Sequence, residues 1–254
     1  MSIENHRVVL VTGASRGIGE AIARGFAADG HRVACAARSA GAVSALAAEI
    51  GGLAVPLDVT DGAAISAAIG LIEGALGPVE ILVNNAGVAS SAPLHRTTDA
   101  DWDRMMAVNL TAGFRLSRAV VPQMVSAGFG RLIFVASNAG LTGYAYTAAY
   151  CASKHGVIGL TRALAAELAR TGVTANAICP GFVDTEMTNA TIARIRDTTG
   201  RDAAEARKAL EKMNPQRRLI EVDELVHLAR TLASEGARGI NGQAIAVDGG
   251  QVMH

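Results

Sequence analysis

Cysteine is scarce in this chain. Cys35, Cys151 and Cys179 are the only three in 254 residues, an odd number at wide spacings with no C-x-x-C pair. That pattern excludes a disulfide framework and a cysteine-based zinc site, and it points to a reducing compartment. An imbalance of charge is missing as well. The 23 basic and 23 acidic side chains cancel, and no run of Lys or Arg makes a local substitute, so the electrostatic drive of a nucleic-acid binder is absent. Long apolar runs are lacking too. The opening MSIENHR is followed by four uninterrupted apolar residues, Val8 to Val11, far short of a signal-peptide core, and no stretch reaches the length of a membrane span. The expectation is a cytoplasmic protein with neither a nucleic-acid nor a membrane partner. His6, His31, His95, His155, His227 and His254 are scattered without ligand spacing, which gives a metal site no support. Lysine is nearly missing: 20 of the basic residues are Arg, and only Lys154, Lys208 and Lys212 are Lys. A genomic bias toward Arg and Ala codons is the plain account, yet the scarcity makes Lys154 conspicuous.

What is present is a chain half apolar in composition, long enough to bury roughly 70–75% of its unfolded surface without staples. No Pro/Gly/Ser linker, repeat or low-complexity tract divides it, so residues 1–254 are read as one domain. Short apolar runs alternate with longer Ala-rich amphipathic stretches, the pattern of βα units in a parallel sheet. Strands are expected at 7–12, 32–36, 53–57, 79–83, 131–136, 173–179 and 243–247. They read as continuous apolar runs, as strands covered by helices on both faces should. The fold class is therefore α/β, a doubly wound parallel sheet. Asp61 precedes an apolar-periodic run that Gly77-Pro78 ends, and Thr98 and Asp99 stand where they can cap the helix containing Trp102. Trp102 itself reads as an anchor to a core or a subunit face. Residues 187–218 make a connection longer than usual, read as a substrate lid.

The first strand runs into Thr12-Gly13-Ala14-Ser15-Arg16-Gly17-Ile18-Gly19 and then directly into an amphipathic helix. Gly13 permits a sharp turn, Gly17 lets backbone approach a pyrophosphate, and Gly19 lets the helix pack closely, while the helix N-terminus offers free N–H donors. A lone glycine triplet fits a structural turn equally well, but its place between first strand and first helix favours a phosphate cradle. At the end of the second strand, where an acidic residue would bind the ribose hydroxyls of NAD, stand Arg38 and Ser39. A guanidinium there suits a 2′-phosphate, with Arg16 as a second cation, so NADPH is preferred over NADH. Arg38 as a solvated loop residue is the other reading, but the missing Asp or Glu weighs against it. Asp58-Val59 follows the third strand and Asn85-Ala86-Gly87 the fourth, both at the sheet edge where ligands bind. Capping of the next helix is the other reading of Asp58.

Ser137 ends the fifth strand, Tyr150 follows 13 residues on, and Lys154 lies four beyond Tyr150 at the start of a long helix. A spacing of four places Tyr150 and Lys154 on one helical face. A free tyrosine titrates at about 10, so the neighbouring ammonium is expected to lower the phenol's pKa. With Ser137 hydrogen-bonding a substrate oxygen and Tyr150 exchanging a proton with it, the trio suits carbonyl reduction or alcohol oxidation.

TGASRGIG at 12–19, Asp58, NNAG at 84–87, Asn109 in VNL, Ser137, YCASK at 150–154 and PGFVDT at 180–185 together resemble the short-chain dehydrogenase/reductase family over essentially the whole chain. The resemblance implies a Rossmann fold of seven parallel strands and a catalytic tetrad of Asn109, Ser137, Tyr150 and Lys154. It also implies that Asn109 holds a water linking Lys154 to solvent, that Lys154 binds the nicotinamide ribose, that Pro180, Gly181 and Val183 line the nicotinamide, and that Thr185 contacts its carboxamide. The run KHGVIGLTRALAAELARTGVTANAICPGFVDTEM is most similar to reductases of 3-oxoacyl thioesters in fatty-acid and aromatic polyketide assembly, which implies a substrate on acyl carrier protein or CoA. Residues 187–218 carry eight basic and four acidic side chains, a basic lid that suits an anionic carrier, or else a solvated amphipathic face. Arg131 stands where ketoacyl reductases of the family meet acyl carrier protein. His155 reads as a packing residue, and Gly156 and Gly159 permit close contact with another subunit, as a homotetramer needs, or ordinary internal packing. Rival readings are a hydroxyacyl-CoA or secondary-alcohol dehydrogenase working oxidatively, a non-catalytic NADPH-binding regulator that would not need Tyr150, and a sugar-nucleotide epimerase, whose glycine spacing is shorter.

Overall fold

All seven expected strands form, with small shifts at their ends, in a computed structural model that describes residues 6–253. They are β1 (Val8–Thr12), β2 (Arg32–Ala37), β3 (Leu53–Pro56), β4 (Ile81–Asn84), β5 (Gly130–Val135), β6 (Val173–Pro180) and β7 (Ala244–Val247). Every pairing is parallel, in the order β3-β2-β1-β4-β5-β6-β7. The alternation of side chains along each strand explains why both faces must be covered. In β1, Val8 and Leu10 join one apolar cluster while Val9 and Val11 join the other, and all four are 0% exposed. Each such side chain contributes roughly 1.5–3 kcal/mol relative to exposure.

Helices supply both coverings. α1 (Gly17–Ala28), α2 (Ala40–Ile50) and α9 (Val222–Ala233) pack on the face of Val9 and Val11; α3 (Gly62–Leu76), α5 (Ala112–Ala127) and α6 (Ala148–Leu168) pack on the face of Val8 and Leu10. α4 (Asp99–Met106) runs through a π turn at Ala107–Thr111 into α5. Thr98 caps α4 through a reciprocal capping box with Asp101. Residues 187–218, the expected lid, fold mainly as α7 (Glu186–Thr199) and α8 (Ala203–Glu211) over a small core of Ile192, Ala206, Leu210 and Leu219. The strand order reverses between β1 and β4, and the crevice opens there, at the C-terminal ends of the strands.

Several surface expectations are corrected. Arg131 is 2% exposed and offers no docking contact. It lies at the start of β5 with Nη1 donating to the carbonyls of Gly130 (2.9 Å) and Gly172 (3.2 Å), and it stacks 4.2 Å from the Phe129 ring centre. Trp102 is 42% exposed, so it anchors no core. His155 is exposed and bonds through Nδ1 to the Cys151 carbonyl rather than packing. Gly156 serves the chain's own packing, because a β-carbon there would stand 2.7 Å from Leu110 Cδ2, whereas Gly159 faces open space. Among the described residues, no helix is long and apolar enough to cross a membrane.

Asp61 accepts from the N–H groups of Ala63 (2.8 Å) and Ala64 (3.1 Å) and caps α3. Asp61→Ala should lower stability by about 1 kcal/mol, read as a fall of roughly 2–4 °C in the thermal midpoint.

Candidate active site

The crevice is a cleft of about 940 Å³ along the ends of β1 to β4. Gly13, Ser15, Arg16, Gly17 and Ile18 form one wall, Arg38, Ser39, Asp58 and Val59 another, and Asn85, Ala86, Gly87 and Thr185 its floor and far end. The turn before α1 needs its glycines. Gly13 has φ +66° and Gly17 +58°, and a β-carbon on Gly13 would stand 2.9 Å from the Ala86 α-carbon. Gly19 is outside the lining; a β-carbon on it would run into the Gly13 carbonyl oxygen and the Asn85 amide. The turn is locked to the next strand. Asn85 Nδ2 donates to the carbonyls of Thr12 (2.9 Å) and Gly13 (3.2 Å), while Thr12 Oγ1 accepts from the N–H groups of Asn85 (3.0 Å) and Ala86 (3.1 Å). The Asn85 side chain thus shapes the cradle it also lines.

No side chain caps α1, so its first N–H groups stay available to an anion. The open cradle, those donors and the cations beside them fit a dinucleotide's phosphates. Arg16 is drawn to Glu186 at the head of α7, 3.2 Å away, and both are about 70% exposed, a contact of small worth that a phosphate can displace. Arg38 is exposed at the end of β2 with no acidic residue beside it on that turn. Asp58 Oδ1 accepts from the N–H and hydroxyl of Thr60 (2.9 and 2.7 Å), and those bonds, helped by Arg38, hold its carboxyl below the usual range. Since Asp61 caps α3, the capping alternative for Asp58 falls.

The four residues of the expected tetrad come from three stretches of the chain. Ser137 follows β5, is buried, and accepts from the Ala139 N–H at 3.1 Å. Tyr150 and Lys154 share one face of α6, with Nζ 5.8 Å from the phenol ring centre. Asn109 sits in the π turn, where Oδ1 accepts from the Val88 N–H (2.8 Å) and Nδ2 donates to the Val88 carbonyl and Ser153 Oγ, both at 3.0 Å. Both of its amide atoms are engaged, so Asn109 ties the β4 loop to the residue before Lys154.

Electrostatics modify the expectation for the phenol. Burial pushes Tyr150 up, and the nearby Ser137 hydroxyl offsets part of the rise. The Lys154 ammonium donates to the Val135 carbonyl at 2.9 Å, with Nζ 5.8 Å from the phenol ring centre. The net direction for the phenol is therefore upward, against the expected lowering. Burial lowers Lys154 in turn to about 8.

Pro180 is buried, Gly181 lies against Asp248, and the Val183 side chain is in the core, its carbonyl accepting from Thr188 Oγ1 at 2.5 Å. None of the three lines the cleft. In the basic segment, Arg207 pairs with Asp184 (2.7 Å) and Glu211 (3.0 Å) and Arg218 pairs with Glu224 (2.5 Å), which reduces the charge free to meet a carrier, while Arg194 bonds Ser91 (3.1 Å). Sequence reasoning missed Arg104 and Val108, which wall the cleft from α4 and the π turn. Their spacing of four was a readable signal, but which face of α4 meets the cleft depends on tertiary packing. Among the described residues, no group of three or more His, Cys, Asp or Glu is placed to hold a metal.

Comparison with known proteins adds to this geometry. The short chain dehydrogenase family model matches residues 7–195. The chain is 42% identical to the 3-oxoacyl-[acyl-carrier-protein] reductase MabA of Mycobacterium tuberculosis, over 97% of this chain and 93% of that protein. It is 37% identical to the 3-oxoacyl-[acyl-carrier-protein] reductase FabG of Escherichia coli, over 97% and 98%. The crystal structure of a single-substitution variant of the actinorhodin polyketide ketoreductase with NADPH superposes with a TM-score of 0.94 at 34% identity, covering 99% of each chain.

Because a β-carbon at position 19 meets the Gly13 backbone carbonyl as well as the Asn85 side chain that locks the turn, Gly19→Ala should open the cradle. The expected result is a lower thermal midpoint and NADPH binding weakened by roughly tenfold in fluorescence titration, the order of losing one charge-assisted hydrogen bond.

Proposed function

This chain belongs to the short-chain dehydrogenase family, and on that footing we propose that it is an NADPH-dependent reductase converting a ketone to a secondary alcohol. The substrate we assign is a 3-oxoacyl thioester on acyl carrier protein or CoA, by analogy with MabA, FabG and the actinorhodin ketoreductase. The observation that carries the reading is the convergence of Ser137, Tyr150 and Lys154 where β5 and α6 meet, with Lys154 Nζ beside Gly87 of the cleft.

When bound, NADPH supplies the hydride that reaches the carbonyl carbon. Ser137 donates a hydrogen bond to the substrate oxygen and orients it. Tyr150 gives that oxygen its proton, so that ketone, hydride and proton sum to the alcohol. A phenol kept protonated by burial suits a proton donor, and the 3-oxoacyl reductase relatives favour reduction over the oxidative alternative. The Lys154 ammonium, held by Val135, stabilises the phenolate left after transfer and binds the nicotinamide ribose. Asn109 keeps the β4 loop and α6 in register for return of a proton to the phenol. Thr185, at the far end of the cleft, marks the nicotinamide end, with the Pro180–Val183 segment leading to it from behind, and α7 with α8 covers the substrate. A regulator that only sensed NADPH would need neither the donor nor its buried lysine.

For coenzyme choice, Arg38 with Ser39 and Arg16 receives the 2′-phosphate, which favours NADPH over NADH. The family resemblance supports a cytoplasmic homotetramer, and the exposed Trp102 and Phe114 on α4 and α5 offer apolar surface for it.

Tyr150→Phe should bind NADPH with unchanged affinity in fluorescence titration while turnover falls by roughly a hundredfold or more; undiminished turnover would dismiss Tyr150 as the acid. Arg38→Asp should cut the NADPH-over-NADH ratio of kcat/KM by roughly ten- to a hundredfold, the worth of a hydrogen bond to a charged group. An unchanged ratio would place the coenzyme determinant elsewhere.

A further inference from the structure

Ser137 stands on a short turn whose far side is held by the end of the chain. After β7 the backbone bends at Asp248, which is 3% exposed and lies so close to Gly181 that a β-carbon on that glycine would be 2.8 Å from its own. The Asp248 carboxylate takes four donors. Oδ1 accepts from the N–H groups of Gly250 (3.0 Å) and Gln251 (3.1 Å), and Oδ2 from the Val252 N–H (3.0 Å) and Asn138 Nδ2 (3.3 Å). Three of these bonds shape the chain end into a hook. The fourth fastens it to Asn138, buried directly after Ser137. A second tie reaches the same loop further on, where Gln251 Nε2 donates to the Tyr144 hydroxyl at 2.9 Å. On the opposite side Gly140 presses on α6, with room for no β-carbon, since one would stand 2.7 Å from the Lys154 carbonyl oxygen. The Ser137 turn is thus clamped between the helix of Tyr150 and Lys154 and a hook that also abuts Pro180–Gly181.

Resting on the reductase reading, we propose that Asp248 and Gln251 are positioning residues for ketone reduction. Through Asn138 and Tyr144 they hold the Ser137 hydroxyl in register with Tyr150 and with the Gly181 segment. They thereby set turnover and which face of the ketone is reduced, and they leave coenzyme affinity alone, because neither lines the coenzyme cleft. Both carboxylate oxygens are doubly engaged, so the isosteric amide of Asp248→Asn, with a single acceptor oxygen, strands two of the four donors. A shift of about 1 Å at a group that orients substrate costs on the order of a hundredfold in rate.

The test uses the full chain with a ketone substrate and compares wild type, Asp248→Asn and Gln251→Met. It reads kcat, KM, NADPH affinity, thermal midpoint and the enantiomer ratio of the alcohol. The proposal expects Asp248→Asn to lose roughly ten- to a hundredfold in kcat and Gln251→Met to lose roughly threefold or more, with NADPH affinity within about twofold and an altered enantiomer ratio in both. A merely structural role would not move the enantiomer ratio. If Asp248→Asn does not fold, Gln251→Met decides alone. Unchanged kcat and enantiomer ratio in folded Gln251→Met, or a kcat loss matched by an equal loss of NADPH affinity, would overturn it. A wild-type protein that binds NADPH but reduces no ketone is a different failure: it overturns the reductase reading and the positioning role with it.

Discussion

The site depends on one close approach, that of the first glycine turn to the loop after β4. Two neighbouring parallel strands end side by side there, and their loops diverge to opposite faces of the sheet, which leaves a crevice between them. Divergence alone would leave two mobile loops. Thr12 and Asn85 join them through a reciprocal set of hydrogen bonds, and the missing β-carbons at Gly13 and Gly19 let the backbones come close enough to make those bonds. The donors of α1 are thereby aimed into the cleft, and the loop that carries Val88 is set where Asn109 can hold it.

Around that lock the polar residues form a chain of supports. Asn109 joins Val88 to Ser153, one residue before Lys154. Lys154 is buried, and its ammonium meets a backbone carbonyl of β5, the strand that leads to Ser137. A buried amine with so little compensation titrates low, at about 8. The phenol beside it moves the other way for the same reason, loss of water around the charged form. One dielectric environment therefore disfavours both charged forms at once, phenolate and ammonium alike. At the opposite end of the strands, Arg131 is equally buried, but it meets carbonyls of Gly130 and Gly172 and an aromatic face far from any reacting group.

The legible part of the molecule and the illegible part divide by range. Apolar runs such as VVLV and LIFV are local signals, and a strand covered on both faces can hardly be spelled otherwise, so β1 and β5 could be drawn from the sequence. The glycine turn was legible because backbone freedom is a property of the residue itself, and Tyr150 with Lys154 because helix periodicity places them on one face. Arg131 was misplaced because exposure is decided by neighbours distant in the chain, here Gly172 and Ser234, together with the ring of Phe129. Arg104 on the cleft wall and Asp248 behind Ser137 were missed for the same reason.

The sequence by itself determined the parallel sheet, the place of the phosphate cradle at the end of its first strand, and the identity of the Ser, Tyr and Lys side chains, since each rests on local composition or a fixed helical or strand period. Only the tertiary structure decided how those groups are tuned and held. That Lys154 is buried and bonded to Val135, that Asp61 rather than Asp58 caps α3, and that the chain end braces the Ser137 turn all depend on burial and on hydrogen bonds between distant segments. Such contacts have no period along the chain, and they exist only once the layers have packed.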